Sequence, residues 1–129
     1  MGKIAEFATR IRNATHARHE KVDVPNSKIR QGIAEVLKKE GFIRSYKVVR
    51  DGKQGVMRVY LKYSESGDSL INGIVRASRS GRRLYVGNDE IPKVRSGFGM
   101  AILSTNKGIV STKMAQELKV GGELLLKIW

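Results

Sequence analysis

The sequence of 129 residues has no cysteine, only two prolines and no long apolar run. The absence of cysteine excludes disulfides, thiol catalysis and thiolate metal sites, and it fits a reducing compartment. No apolar stretch approaches the roughly 20 residues that a membrane helix needs. Four charged side chains interrupt the first 13 residues, so we expect no secretory signal there. These absences predict a soluble protein of the cytoplasm or of an organellar matrix or stroma.

Acidic side chains are scarce, since 12 Asp and Glu stand against 25 Lys and Arg, a net charge of +13. The excess occurs in both halves: residues 1–62 contain 15 basic and 6 acidic side chains, and residues 63–129 contain 10 and 6. Such a charge indicates an anionic partner. Because the basic residues are spread through segments with globular patterning, they indicate a folded surface rather than a basic tail.

Catalytic constellations are also missing. His16 and His19 are three residues apart and would suit an acid and base pair or part of a metal site, which leaves open an RNA-processing enzyme that uses them. Such a site has no third ligand, and the sequence contains neither a phosphate-binding glycine-rich loop before a helix nor a G-x-S-x-G elbow. We therefore expect no enzyme activity, no cofactor and no metal.

The first half of the sequence alternates helical and extended patterns in the order α-β-α-β-β. Apolar residues at the helical period, strict alternation and turn residues locate the elements. The predicted elements are a helix that ends near residues 13–15, a strand at 21–24 before Pro25, a helix capped by Asn26 or Ser27 and broken by Gly41, and strands at 42–50 and 56–63 joined by Asp51-Gly52.

The second half is predicted to be mostly β with one short helix. The only evident linker is the apolar-free segment 64–69, which divides the chain into an α/β domain, 1–63, and a β-rich domain, 70–129. The fold class is thus α+β. The predicted elements of the second half are strands at 70–77, 83–86, 93–95, 100–105 and 123–129, and a helix at 112–119 capped by Ser111.

A polar loop lies between two apolar runs near the end of the chain, and it consists of Ser104, Thr105, Asn106, Lys107 and Gly108. Its hydroxyls and carboxamide can donate and accept hydrogen bonds, Lys107 adds a positive charge, and Gly108 permits positive φ. This chemistry suits an anionic surface that carries 2′-hydroxyls. The alternative is a hairpin connection with no further role.

An arginine-rich turn precedes a tyrosine in the second half. Arg79, Arg82 and Arg83 surround a glycine and can bind phosphates, and the ring of Tyr85 can stack on a base or a sugar. The alternative is that Tyr85 packs across a sheet while the arginines are solvated. A weaker signal comes from the helix start at Ser27 and Lys28, whose free backbone N–H groups suit a phosphate, as those of every helix do.

The pair Gly121-Gly122 before Glu123 predicts a close backbone approach or positive φ, because adjacent glycines weaken regular structure. The carboxylate of Glu123 is an acceptor for an amino group on a base edge. Its alternative roles are to orient Ser104 or Thr105, or to pair with a lysine.

Four segments occur in the order and at the spacing of one known family, and they are Thr9–Ala14, Lys39–Ile43, Ser104–Gly108 and Gly121–Glu123, with Trp129 at the end. The whole sequence thereby resembles the eighth protein of the small (30S) ribosomal subunit in its bacterial or organellar form. The resemblance implies the same two domains and a primary binder of the central domain of 16S ribosomal RNA, which helps to assemble the platform beside neighbouring ribosomal proteins. In bacteria it further implies repression of the protein's own operon. A free-standing translational regulator remains the alternative.

The resemblance also implies which residues contact RNA. The polar loop is the main contact, supported by Tyr85 and by Gly121–Glu123, and the N-terminal half contributes less. Together with the arginine turn, the predicted RNA-contacting residues are Ser104, Thr105, Asn106, Lys107, Gly108, Tyr85, Gly121, Gly122, Glu123, Arg12, Asn13, Ser27, Lys28, Arg79, Arg82 and Arg83.

Overall fold

The computed structural model describes residues 2–79, 81–91 and 99–129, and it has the predicted α+β class. Within these residues, no helix combines the length and the apolar character needed to cross a membrane. The elements in chain order are α1 (Gly2–His16), β1 (Lys21–Pro25), α2 (Lys28–Lys39), β2 (Ile43–Val49), β3 (Val56–Leu61), β4 (Ile74–Arg76), β5 (Tyr85–Val86), β6 (Met100–Thr105), β7 (Gly108–Ser111), α3 (Thr112–Leu118) and β8 (Gly122–Ile128).

Helices α2 and α3 begin where the sequence predicts them to begin. The hydroxyl of Ser27 accepts a hydrogen bond from the backbone N–H of Arg30 at 3.1 Å, and Ser111 does the same for Met114 at 3.2 Å. Each hydroxyl satisfies a backbone donor that the helix leaves unpaired, so both capping predictions are confirmed. Gly41, just beyond α2, has φ +80, which is the left-handed conformation that ends a helix.

The first sheet has the strand order β1-β3-β2 and is antiparallel throughout. Met57, Val59 and Leu61 alternate along β3 and are buried in the core with apolar residues of α1 and α2. The predicted hairpin between β2 and β3 is confirmed. Its loop is held by the carboxylate of Asp51, which accepts from the backbone N–H groups of Lys53 and Gly55 at 3.0 Å each.

The second sheet is organised around its last strand, β8, which pairs with β4, β5 and β6, while β7 pairs with β6. In this sheet, two of the predicted strands are too long. The strand expected at 83–86 is reduced to Tyr85–Val86. The strand expected at 70–77 is reduced to Ile74–Arg76, because the carbonyl of Trp129 accepts from both Asn72 and Gly73 and bends the chain there. The short strand β7 follows the polar loop and was implied only by the alternative interpretation of that loop as a hairpin connection. The strand expected at 93–95 lies outside the described residues.

One hydrophobic cluster joins the two halves of the chain. It contains Ile4, Phe7 and Ile11 of α1 together with Ile74 of β4 and Ile128 of β8. At the same junction, the guanidinium of Arg12 donates to the backbone carbonyl of Ile74. Helix α1 is therefore packed against both sheets. The division of the chain at residues 64–69 stays a prediction.

Lys119 follows α3 with φ +55 and ψ +44, a left-handed conformation that costs a residue with a β-carbon about 1 kcal/mol or more. Its N–H donates to the carbonyl of Gln116 at 3.2 Å, and that of Val120 donates to Ala115 at 3.0 Å, which closes the helix in a Schellman motif. We expect Lys119→Gly to unfold in urea with a free energy about 1 kcal/mol above that of Lys119→Ala, which loses the same charge. Equal stabilities of the two variants would contradict this account.

Candidate nucleic-acid interface

The paired glycines lie where β8 is in close contact with strands on both sides. A Cβ added to Gly122 would overlap the carbonyl oxygen of Ser104 and lie 2.9 Å from its carbonyl carbon. A Cβ on Gly121 would overlap the carbonyl oxygen of Val86 and lie 2.8 Å from Cα of Gly87. Neither glycine has positive φ. Of the two predicted reasons for this pair, the close backbone approach is therefore the correct one.

The register of β8 aligns three predicted residues in one cross-strand row. Glu123 is opposite Tyr85 of β5 on one side and Ser104 of β6 on the other. The side chain of Tyr85 is 67% exposed, so the alternative that it packs across the sheet is wrong. The row thus places an exposed aromatic ring, a carboxylate and a hydroxyl on adjacent strands.

The carboxylate of Glu123 is paired with an arginine rather than with a lysine or with the polar loop. Its Oε2 lies 3.4 Å from Nη1 of Arg83, and the side chain of Glu123 is only 14% exposed while that of Arg83 is 47% exposed. A charge-assisted hydrogen bond to a guanidinium restricts the rotation of a carboxylate. The arrangement leaves the arginine accessible to an anion.

The polar loop is the turn of the β6–β7 hairpin, as its alternative interpretation predicted. The hydroxyl of Thr105 donates to the carbonyl of Gly108 at 2.9 Å and accepts from the N–H of Lys107 at 3.0 Å. Gly108 has φ +103, whereas Asn106 and Lys107 do not have positive φ, as in hairpins that end in a left-handed glycine. Asn106 and Lys107 are exposed at the tip, so they are the side chains most free to meet a partner.

The arginine turn is connected to the row of Tyr85, Glu123 and Ser104 by the ion pair between Arg83 and Glu123. Arg79 and Arg82 exchange backbone hydrogen bonds of 3.0 Å and both side chains are exposed. The turn is supported by Ser78, which is fully buried and whose hydroxyl accepts from the N–H of Leu84 at 2.9 Å. Sequence reasoning missed Ser78 because nothing in its neighbours marks it as buried.

The N-terminal residues predicted to contact RNA have mixed roles. The guanidinium of Arg12 donates a hydrogen bond to the backbone of β4. Arg12 also lines a surface cavity together with Arg76 and Arg79. Arg76 was not predicted, although its place on a short strand next to the arginine turn is a usable signal. The hydroxyl of Ser27 is occupied in capping α2, while Asn13 and Lys28 are exposed.

The two histidines stand at and after the end of α1 and are both exposed. The backbone carbonyl of His19 accepts a hydrogen bond from the hydroxyl of Tyr63 at 2.6 Å. Within residues 2–79, 81–91 and 99–129, no group of three or more His, Cys, Asp and Glu side chains is placed to hold a metal ion. The geometry gives the proposed histidine site no further support.

The comparisons with known proteins cover nearly the whole chain, and they all indicate the same family. A family model described as ribosomal protein S8 matches residues 2–129. The small ribosomal subunit protein uS8 of Bdellovibrio bacteriovorus is 62% identical over 129 residues, covering 100% of both chains. The uS8 proteins of Geotalea uraniireducens and Thermosipho africanus are 56% and 51% identical, each covering 98% of this chain and 96% of the relative. These relatives are named as ribosomal proteins and not as enzymes, which confirms the prediction of a non-enzymatic protein. The chain belongs to the ribosomal protein S8 family.

Proposed function

We propose that this chain, as a structural constituent of the small ribosomal subunit, binds the central domain of 16S ribosomal RNA through the hairpin cluster. By hairpin cluster we mean Tyr85, the turn Ser104–Gly108 and the segment Gly121–Glu123. The observation that carries the proposal is their convergence: residues up to 38 positions apart in the sequence lie on the adjacent strands β5, β8 and β6.

The chemistry of the hairpin cluster suits RNA that is recognised by shape. Base edges of A-form RNA are hidden in a deep groove, so a protein must contact the shallow minor groove or unpaired bases. Small hydroxyls and an exposed carboxamide reach such a surface, and the 67% exposed ring of Tyr85 is available for stacking. Arg83 forms an ion pair with Glu123, the residue opposite Tyr85, and its guanidinium can bind a phosphate.

Salt dependence tests the role of the charge. The net charge of +13 supplies the general attraction, and each neutralised phosphate releases counterions. If about five phosphates are contacted, log K against log salt concentration should have a slope of about −3 to −5. Filter binding with a 16S central-domain fragment measures this slope. A flat titration would show that the basic surface does not drive binding.

Sedimentation tests the site in cells. We expect Asn106→Ala/Lys107→Ala to shift the protein from small subunits to the top of a sucrose gradient, because both side chains are exposed at the hairpin tip and neither supports the fold. The matched control is Lys53→Ala/Gln54→Ala at the exposed tip of the β2–β3 hairpin, which should sediment like the wild type. A wild-type chain that never sediments with small subunits would favour the free-standing regulator.

Repression of the chain's own operon belongs to the same proposal, because a messenger segment with the shape of the 16S site would occupy the same hairpin cluster. A messenger fragment from the operon should then compete with the 16S fragment for the protein. Asn106→Ala/Lys107→Ala should weaken both complexes in parallel. A variant that loses only one of the two RNAs would separate the activities and contradict a shared site.

A further inference from the structure

The first sheet has a face that the hairpin cluster does not use. Along β3, Met57, Val59 and Leu61 point into the core, whereas Val56, Arg58 and Tyr60 are partly exposed on the opposite face. The apolar cluster therefore covers one side of the three-stranded sheet and leaves the other side open to solvent. An antiparallel sheet tolerates this, but the open face is then free to carry a partner.

The open face is basic in two adjacent cross-strand rows. One row consists of Lys21, Tyr60 and Ser45, and the other of Asp23, Arg58 and Lys47. The two rows together contain three cations and one carboxylate. Arg58 is directly opposite Lys47, and like charges in that position destabilise a sheet. An anion bound across the two rows would relieve this repulsion.

The single carboxylate of the face, that of Asp23, already forms an ion pair with Arg58. The Nε of Arg58 lies 2.9 Å from Oδ1 of Asp23, and Nη2 lies 3.2 Å from Oδ2, which forms a two-pronged ion pair. The hydrogen bond with Arg58 holds the pKa of the Asp23 carboxyl below its usual value, so it stays charged at neutral pH. The pair orients the guanidinium, while Lys21 on β1 and Lys47 on β2 are exposed.

Tyr60 gives this face a second feature besides charge. It lies on the central strand between Lys21 on β1 and Ser45 on β2, and its side chain is partly exposed. An aromatic ring on a sheet, flanked by a cation and a hydroxyl, can stack a base while the neighbours contact phosphate and 2′-hydroxyl. A purely acidic protein partner would use the cations but would not need the ring.

We propose that this face, formed by Lys21, Ser45, Lys47, Arg58 and Tyr60, binds an unpaired RNA segment distinct from the one held by the hairpin cluster. The two sites lie on different sheets, so the protein bridges two RNA segments. The inference rests on the proposed function, since it concerns the same class of ligand.

Cross-linking tests the face directly. The full chain is irradiated with ultraviolet light in complex with protein-free 16S ribosomal RNA, and the cross-linked peptides are identified by mass spectrometry. We expect one cross-link at residues 59–62, which contain Tyr60, and a separate one at the hairpin cluster. Tyr60→Val keeps a strand-forming side chain, removes the ring, and should lose the first cross-link with about 5-fold or greater weakening of binding.

A charge variant provides an independent measurement. Lys21→Gln/Lys47→Gln should make the slope of log K against log salt shallower by about 1.4, since each phosphate contact on a single strand contributes about 0.7. The control Lys38→Gln/Lys39→Gln removes the same charge from the exposed end of α2 and should change the slope less. Circular dichroism of all variants establishes that they are folded.

The outcomes separate the two proposals. Cross-links at the hairpin cluster alone, with equal slopes for the two double variants, would overturn the second site and leave the proposed function intact. Wild-type protein that binds no 16S RNA would overturn both. Variants of the face that bind RNA normally but leave small subunits in a gradient would identify a protein partner and overturn the RNA assignment.

Discussion

Gly122→Ala is expected to weaken binding of the 16S fragment more than tenfold and to lower the free energy of unfolding by about 1 to 3 kcal/mol. The added methyl group would overlap the carbonyl oxygen of Ser104 and lie 3.1 Å from Cγ2 of Thr105. Backbone atoms cannot rotate away as a long side chain can, so β8 must separate from β6. That separation moves Glu123 relative to Ser104 and distorts the hairpin cluster.

The control for this variant is Gly81→Ala in the arginine turn. A Cβ at Gly81 would have no atom within 4 Å. It should therefore leave stability and RNA affinity near those of the wild type. Filter binding and urea denaturation on the same preparations measure both quantities. If Gly122→Ala binds like Gly81→Ala, the close approach of β8 and β6 is not needed for RNA binding.

Thr105→Val is expected to weaken binding of the 16S fragment by about 1 to 3 kcal/mol. The hydroxyl of Thr105 donates to the carbonyl of Gly108 and accepts from the N–H of Lys107, so its loss frees both backbone groups of the turn. The turn is exposed, and water can satisfy these groups in the free protein. The loss should therefore appear when RNA covers the loop, and stability should change little.

Thr105→Ser is the matched control, because it keeps the hydroxyl and removes only a methyl group. It should retain most of the RNA affinity in the same filter-binding assay. Equal weakening by Val and Ser would indicate that the methyl group contributes as much as the hydroxyl, because Val keeps the methyl group and Ser keeps the hydroxyl. Unchanged affinity in folded Thr105→Val would remove the hydroxyl from the recognition mechanism.

Local features of the fold were predictable from the sequence. Ser27 and Ser111 cap α2 and α3 as predicted. A cap of this kind is a local feature, because the hydroxyl accepts a hydrogen bond from the backbone N–H only three residues further along the chain. Strand β6 also has its predicted bounds, Met100–Thr105. The strand predicted at 70–77 was too long, since its shortening results from hydrogen bonds to Trp129, more than 50 residues away.

The sequence singles out the members of the candidate site but not the contacts between them. The polar turn, the paired glycines and Tyr85 are recognisable by residue type and by their resemblance to a family. The alternative roles of Glu123 were to orient Ser104 or Thr105 or to pair with a lysine, whereas its carboxylate pairs with Arg83. The guanidinium of Arg12 holds β4 while also being a predicted RNA contact. Such roles depend on distances between strands, which a linear pattern does not contain.

The sequence by itself determined the basic charge, the absence of disulfides, the helices with their caps and the turns, because each depends on composition or on neighbours within a few residues. Only the tertiary structure decided that Tyr85, Glu123 and Ser104 form one row and that β8 approaches both of its neighbours at Gly121 and Gly122. The physical reason is sheet register: hydrogen bonding between distant strands sets which side chains are opposite, and packing of the whole core sets that register.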